Sequence, residues 1–199
     1  MEPEASATPA PSTAAPARPA RSRGRARFAL WLAVGALVAL SLGLYGRAHD
    51  PTGRSLVTLF FTNTLTLKVW LATAAVSLAA FQGLTGLRMY GKLGRQRGPR
   101  WVPTAHRLSG TVAFLLTIPV AYHCLWALGF QFQAGTRILV HGVFGCFFFG
   151  GLATKVLVVN SRRMPKWALP VMGGSLFTAL VVIWATSALW FFRTQGIQF

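Results

Sequence analysis

The sequence predicts an all-α fold, a polytopic membrane helical bundle with five transmembrane helices, on three observations. Five apolar runs are each about the ~20 residues that a bilayer core demands of a spanning helix. The runs are unbroken rather than alternating, which disfavours a β-barrel, and in lipid the backbone must then satisfy itself as helix. Basic residues crowd into alternate connections between the runs. The composition agrees: 53% of the 199 residues are hydrophobic and only three, Glu2, Glu4 and Asp50, are acidic.

Residues 1–27, rich in Ala, Pro, Ser and Arg, are too poor in apolar groups to repay ordering and read as a disordered cytoplasmic basic tail. Beside an anionic leaflet each basic residue there contributes about 1 kcal/mol of attraction. Residues 28–199 form the five-helix transmembrane domain. Its first span, Phe28–Tyr45, exceeds the ~7–15 residues of a signal-peptide core and is followed by no clear small-residue cleavage site, so it reads as an uncleaved anchor. The next connection turns at Asp50, Pro51 and Gly53 and carries His49, which reads as an ordinary exposed histidine. Its Leu56–Phe61 patch lies on the membrane surface or covers another subunit.

The second span, Leu67–Leu87, opens with Lys68, and its Gln82, Gly83 and Gly86 read as helix-packing positions. A basic connection broken by Gly and Pro runs from Arg88 to Arg107. The third span, Leu108–Gly129, holds Pro119 four residues before His123, where a kink and extra room are expected. In the fourth, Ile138–Val159, helical spacing puts His141, Gly145, Phe148, Leu152 and Lys155 on one face. The fifth, Ala168–Phe192, contains no His, Asp, Glu or Lys; it ends in an aromatic anchor at Trp190, Phe191 and Phe192 and reads as scaffold.

A formal charge of +17 invites a nucleic-acid reading, but the charge follows the spans. Arg18, Arg21, Arg23, Arg25 and Arg27 precede the first; Arg88, Lys92, Arg95, Arg97, Arg100 and Arg107 follow the second; Arg162, Arg163 and Lys166 follow the fourth. Topology therefore explains the charge, with no nucleic acid. The positive-inside rule makes this a multi-pass protein of the cell (plasma) membrane, its N-terminus cytoplasmic and its C-terminus outside. Cys124 and Cys146 lie within spans and read as packing residues rather than a disulfide framework.

The candidate site lies where the third and fourth spans meet. His123 sits six residues before Gly129 and His141 four residues after Arg137, which puts both about 6–9 Å below the same face. Ionisable side chains inside a membrane are costly and generally functional. Two imidazoles on neighbouring helices are the axial pair a b-type haem requires, so His123 and His141 are the expected ligands of one haem b. Gly145, with Gly142, removes bulk where a flat macrocycle approaches, and Phe144, Phe147, Phe148 and Phe149 are candidate lining residues. Lys68 either snorkels to the headgroups or, with Arg54 or Arg137, neutralises the propionates. A second haem would need ligands about four turns away, ~14 residues on, where the chain has Lys155 and Ser109. His106 is about a quarter-turn off the face of His123 and marks a helix end, a headgroup contact, or a quinone or second-cofactor site.

The blocks HRLSGTVAFLLTIPVAYHCLW, RILVHGVFGCFFFGGLATKVLVV and WALPVMGGSLFTALVVIWATSALWFF, with KVWLA at 68–72 and MYGKL at 89–93, resemble an actinobacterial five-span membrane family of unknown function. More distantly the chain resembles b-type transmembrane cytochromes. The resemblance implies an outer-face partner such as a Rieske-type iron–sulfur protein. The function expected is that of a cytochrome b-like electron-transfer protein drawing on quinol or a membrane partner, a subunit rather than a stand-alone enzyme. The alternative is a cofactor-free structural or accessory subunit of a membrane complex, its histidines bonding helix to helix. A transporter ranks lower, because no span contains a carboxylate.

Overall fold

A computed structural model of the chain describes residues 20–54, 58–94, 98–161 and 164–199. The N-terminal part of the predicted tail, part of the Leu56–Phe61 patch, and Arg95, Arg97, Arg162 and Arg163 lie outside the described residues. The main helices are α1 (Ala20–Ala48), α2 (Thr64–Met89), α3 (Val102–Tyr122), α4 (Thr136–Val159) and α5 (Ala168–Trp184). A π-helical turn, His123–Leu128, extends α3; another, Ala185–Leu189, joins α5 to the short α6 (Trp190–Gln195). Counted with these extensions, five helical segments are long and apolar enough to cross a membrane: Gly24–Ala48, Thr64–Met89, Val102–Leu128, Thr136–Val159 and Ala168–Gln195. The fold class is thus as predicted, and the protein is compatible with a multi-pass membrane protein.

Two boundaries differ from the expectation. Helix α1 already takes in residues 20–27 where the described residues start, so these are helical rather than part of a disordered tail. Arginine is a good helix former, and a nucleated apolar helix extends cheaply into the Arg-rich stretch. Helix α3 begins at Val102, because Pro103 fits the first turn, where its missing N–H costs nothing. His106 is therefore inside the helix rather than at its end.

Helix α2 packs along α3 and α5, α4 along α5 and α1, and α1 reaches the π-turn that extends α3. In ring order the bundle reads α3, α2, α5, α4, α1. Helices α3 and α4 are consecutive yet do not pack along each other. The α1–α4 seam is tight because Gly35 faces Gly150, and the Thr154 hydroxyl donates to the carbonyls of Trp31 and Gly150, both at 3.1 Å. Apolar clusters fill other seams: Phe28, Val158, Ala168 and Met172 among α1, α4 and α5, and Val69, Ala72, Ala188 and Phe191 between α2 and the end of α5 and α6. Leu37, Leu40, Leu44, Leu108 and Val143 are exposed, an apolar exterior suited to lipid. The end of the bundle carrying His49, His123 and His141 is called the histidine end below, and the opposite one the arginine-rich end.

Candidate functional site

At the histidine end both α3 and α5 leave α-helical geometry for a π-turn, a feature frequent at functional sites. His123 opens the first turn and is almost fully buried, 1% exposed. Its Nδ1 lies 2.7 Å from the Pro119 carbonyl oxygen. A carbonyl only accepts, so Nδ1 carries the proton and donates it, and the ring's lone pair is on Nε2. The turn closes at Gly129, whose φ of +62° favours glycine.

His141 repeats the pattern against the second π-turn. Its Nδ1 lies 3.2 Å from the Ile183 carbonyl and 3.2 Å from Thr186 Oγ1, so it too donates through Nδ1 and keeps its lone pair on Nε2. Arg137 secures the same turn. Its Nη1 donates to the Thr186 carbonyl at 2.6 Å and its guanidinium lies 3.9 Å from the centre of the Trp190 ring.

Lys68 connects the two histidine neighbourhoods. It is buried, and its ammonium reaches the thiol of Cys124, beside His123, at 4.0 Å, while its charge, with that of Arg137, bears on His141. Lys68 is turned into the bundle rather than snorkelling out. Among the described residues no carboxylate side chain bonds it, Asp50 being the one acidic residue described. A buried cation facing only a thiol is costly and favours an anionic guest.

Gly145 stands one turn from His141, and a methyl group placed on it meets no atom within 4 Å. At Gly142, in contrast, the space is filled by Phe130, whose ring lies between Gly142 of α4 and Gly46 of α1. Among the candidate lining residues, Phe148 is buried against Leu176, Ala179 and Leu180 of α5, Phe144 and Phe149 pack around that cluster, and Phe147 is exposed. They serve mainly as packing.

Two histidines sit otherwise than the sequence suggests. His49 is not a solvated loop residue: its ring is sandwiched between Tyr45 and Trp126, and its Nε2 is buried with no hydrogen-bond partner among the described residues. It follows the last turn of α1, which the apolar run ending at Tyr45 did not reveal. His106 belongs to a polar cluster at the arginine-rich end, with Nδ1 2.9 Å from Thr85 Oγ1 and its backbone carbonyl accepting from Gln82 and from Ser109. Gly86 lies beside its ring, whereas Gly83 faces open space and is no packing position.

The sequence reading missed Thr186 and Ile183. The polar pair Thr186–Ser187 inside an otherwise apolar span was the available signal.

Chemically, the histidine end carries two span imidazoles, His123 and His141, and the buried Lys68. Among the described residues no group of three or more His, Cys, Asp or Glu comes together. A haem iron asks its protein for two axial donors, since the porphyrin supplies the rest. A ligating histidine almost always donates its other ring N–H to a carbonyl or carboxylate, as His123 and His141 both do to carbonyls. The donor chemistry of His123 and His141 is therefore that of an axial haem pair, carried on two helices that do not pack along each other. A family model described as a family of unknown function (DUF6529) matches residues 28–199. No curated protein and no solved structure matches.

Proposed function

We propose that the chain, which belongs to the DUF6529 family of unknown function, is a membrane-embedded b-type electron-transfer protein that holds one haem between α3 and α4. The observation that supports this reading is the shared tautomer of His123 and His141, each donating Nδ1–H to a carbonyl, so that Nε2 is the atom that would bind iron. Haem b supplies a one-electron change at its iron, and positioning and tuning fall to the protein. Pro119, Ile183 and Thr186 orient the rings and raise their basicity. Lys68 offers its charge to a propionate, and Arg137 holds the α5 turn from which His141 is aimed. Electrons come from a quinol pool or membrane partner and leave to a redox protein, Rieske-type or other, at the histidine end. That end faces outward across the plasma membrane, with the N-terminus cytoplasmic and the C-terminus outside, as the charge asymmetry supports.

Protein purified from haem-replete cells is expected to show a Soret band that sharpens on dithionite reduction, at one haem per chain. A folded, colourless preparation would refute the reading. It would favour the second one, a cofactor-free accessory subunit, for which the His141 bond to α5 is the supporting contact.

Lys68 provides a separate check. Lys68→Met removes a buried cation with no acidic partner, so thermal stability of the haem-free protein in detergent is expected to hold or rise by about 1 kcal/mol or more. Haem retention, followed by transfer to apomyoglobin, is expected to weaken about tenfold, equivalent to ~1.4 kcal/mol. Loss of stability with unchanged haem retention would show that Lys68 only packs.

A further inference from the structure

The aromatic residues at the histidine end form a continuous series of ring contacts that haem ligation leaves unused. His123 meets Tyr122 edge-on, centroids 5.6 Å apart, and Tyr122 stacks on Trp126 at 6.1 Å and 14°. Trp126 meets His49 at 4.7 Å, and His49 stacks on Tyr45 at 5.1 Å and 10°. The series crosses from the π-turn of α3 to the last turns of α1. It begins at a buried imidazole and ends at Tyr45, which is 41% exposed.

We propose that Tyr122, Trp126, His49 and Tyr45 are the route by which an electron passes between the haem ligated by His123 and an acidic one-electron carrier protein docked at this end. The proposal rests on the one-haem reading above. Electron tunnelling decays steeply across empty gaps and much less through rings in contact, so the stack couples His123 to the surface, which it reaches at Trp126 and again at Tyr45, each 41% exposed. No ring changes oxidation state. A bound haem would supply one electron from its ferrous iron and the carrier's oxidised metal would accept it, while the rings serve only as the medium.

An interfacial belt of Trp and Tyr would put aromatic rings at this depth without joining them to a buried histidine. Packing alone would also be better served by Phe at position 49, because a buried imidazole nitrogen without a partner costs free energy. The carrier's charge follows from the surroundings. Arg47 and Arg54 are exposed beside the stack, with Asp50 the one acidic residue nearby among the described residues. A recess of about 650 Å³ lined by Arg47, Phe130, Gln131, Gln133 and Ala134 adjoins them. Such a face steers an acidic partner, and the encounter weakens with salt.

The test uses the full chain in detergent, reduced with haem bound, mixed in stopped flow with oxidised plastocyanin, an acidic copper protein too large to enter the bundle. Trp126→Leu is expected to slow haem oxidation severalfold with the Soret band unmoved, whereas Phe177→Leu, outside the stack, leaves the rate as it was. His49→Leu makes the same comparison without altering α3, should Trp126→Leu fold poorly. Independently of electron transfer, haem-free protein is expected to bind plastocyanin at low salt and to lose most of that binding in the Arg47→Gln, Arg54→Gln double variant. Unchanged oxidation rates in both stack variants would overturn the route and leave the one-haem reading standing. Binding insensitive to salt and to the arginines would overturn the docking face. A wild-type protein without haem would remove the reading itself, and the route with it.

Discussion

Replacing either His123 or His141 with alanine is expected to abolish the Soret band of the purified protein. On the proposed reading each variant would delete one of two bonds to iron, and a membrane b-type haem would have no covalent link to fall back on. Folding should survive. Loss of the His141 bond to α5 forfeits only the ~0.6–2 kcal/mol typical of a hydrogen bond between helices in lipid. Helical circular dichroism and monodisperse elution should therefore be retained while the colour disappears. Thr186→Val refines the test. The Ile183 carbonyl would still receive His141 Nδ1–H, but with one of its two acceptors gone the ring is less firmly aimed, and haem affinity should fall roughly 10–100-fold, as for other outer-shell changes. His123→Gly with added imidazole should recover part of the band. His106→Ala, whose ring is engaged by Thr85 at the other end, should leave the haem-to-protein ratio unchanged. A full-strength band in both alanine variants would require a different ligand pair.

Apolar run length alone located the five long apolar helices, with ends off by up to six residues at Val102, because lipid leaves the backbone no alternative to helix. The ends were less legible. Arg21, Arg23, Arg25 and Arg27 favour helix once α1 has nucleated, yet composition read that stretch as disordered. The candidate ligands His123 and His141 were legible because an imidazole in a span stands out from its surroundings. Their supporting shell was not. Whether Nδ1 finds an acceptor depends on where two π-turns loosen α3 and α5, and no residue spacing announces a π-turn. Lys68 shows the same limit: its position near a helix start suits snorkelling, and only the packing of α2 against α3 turns it toward Cys124. His49 was misread because its partners, Tyr45 and Trp126, come from different helices.

The seam between α1 and α4 was also hidden, since Gly35 and Gly150 are ordinary membrane-helix glycines until the two helices cross. Gly150→Ala is expected to destabilise the bundle by about 1–3 kcal/mol, the usual cost of overpacking a close contact. Helix propensity argues for the opposite sign, because Ala in place of a helical Gly gains about 1 kcal/mol. Sterics decide between them. A methyl on Gly150 runs into the Gly35 carbonyl and the Ala39 side chain, and one on Gly35 into the Thr154 hydroxyl and the Gly150 carbonyl. Side-chain rotation relieves a clash with a hydroxyl, but a clash with a backbone carbonyl moves a whole helix. Gly173→Ala on α5 is the matched control: its added methyl meets nothing within 4 Å, so propensity acts alone and stability should hold or rise by up to ~1 kcal/mol. Thermal unfolding in detergent measures both. The consequence reaches the site because α1 carries His49 against Trp126 and Gly46 against Phe130. A displaced α1 therefore uncovers the π-turn that begins at His123, and Gly150→Ala should release haem faster than wild type even where the protein remains folded. Equal stability and equal haem release for Gly150→Ala and Gly173→Ala would mean that the α1–α4 crossing is not the close contact described.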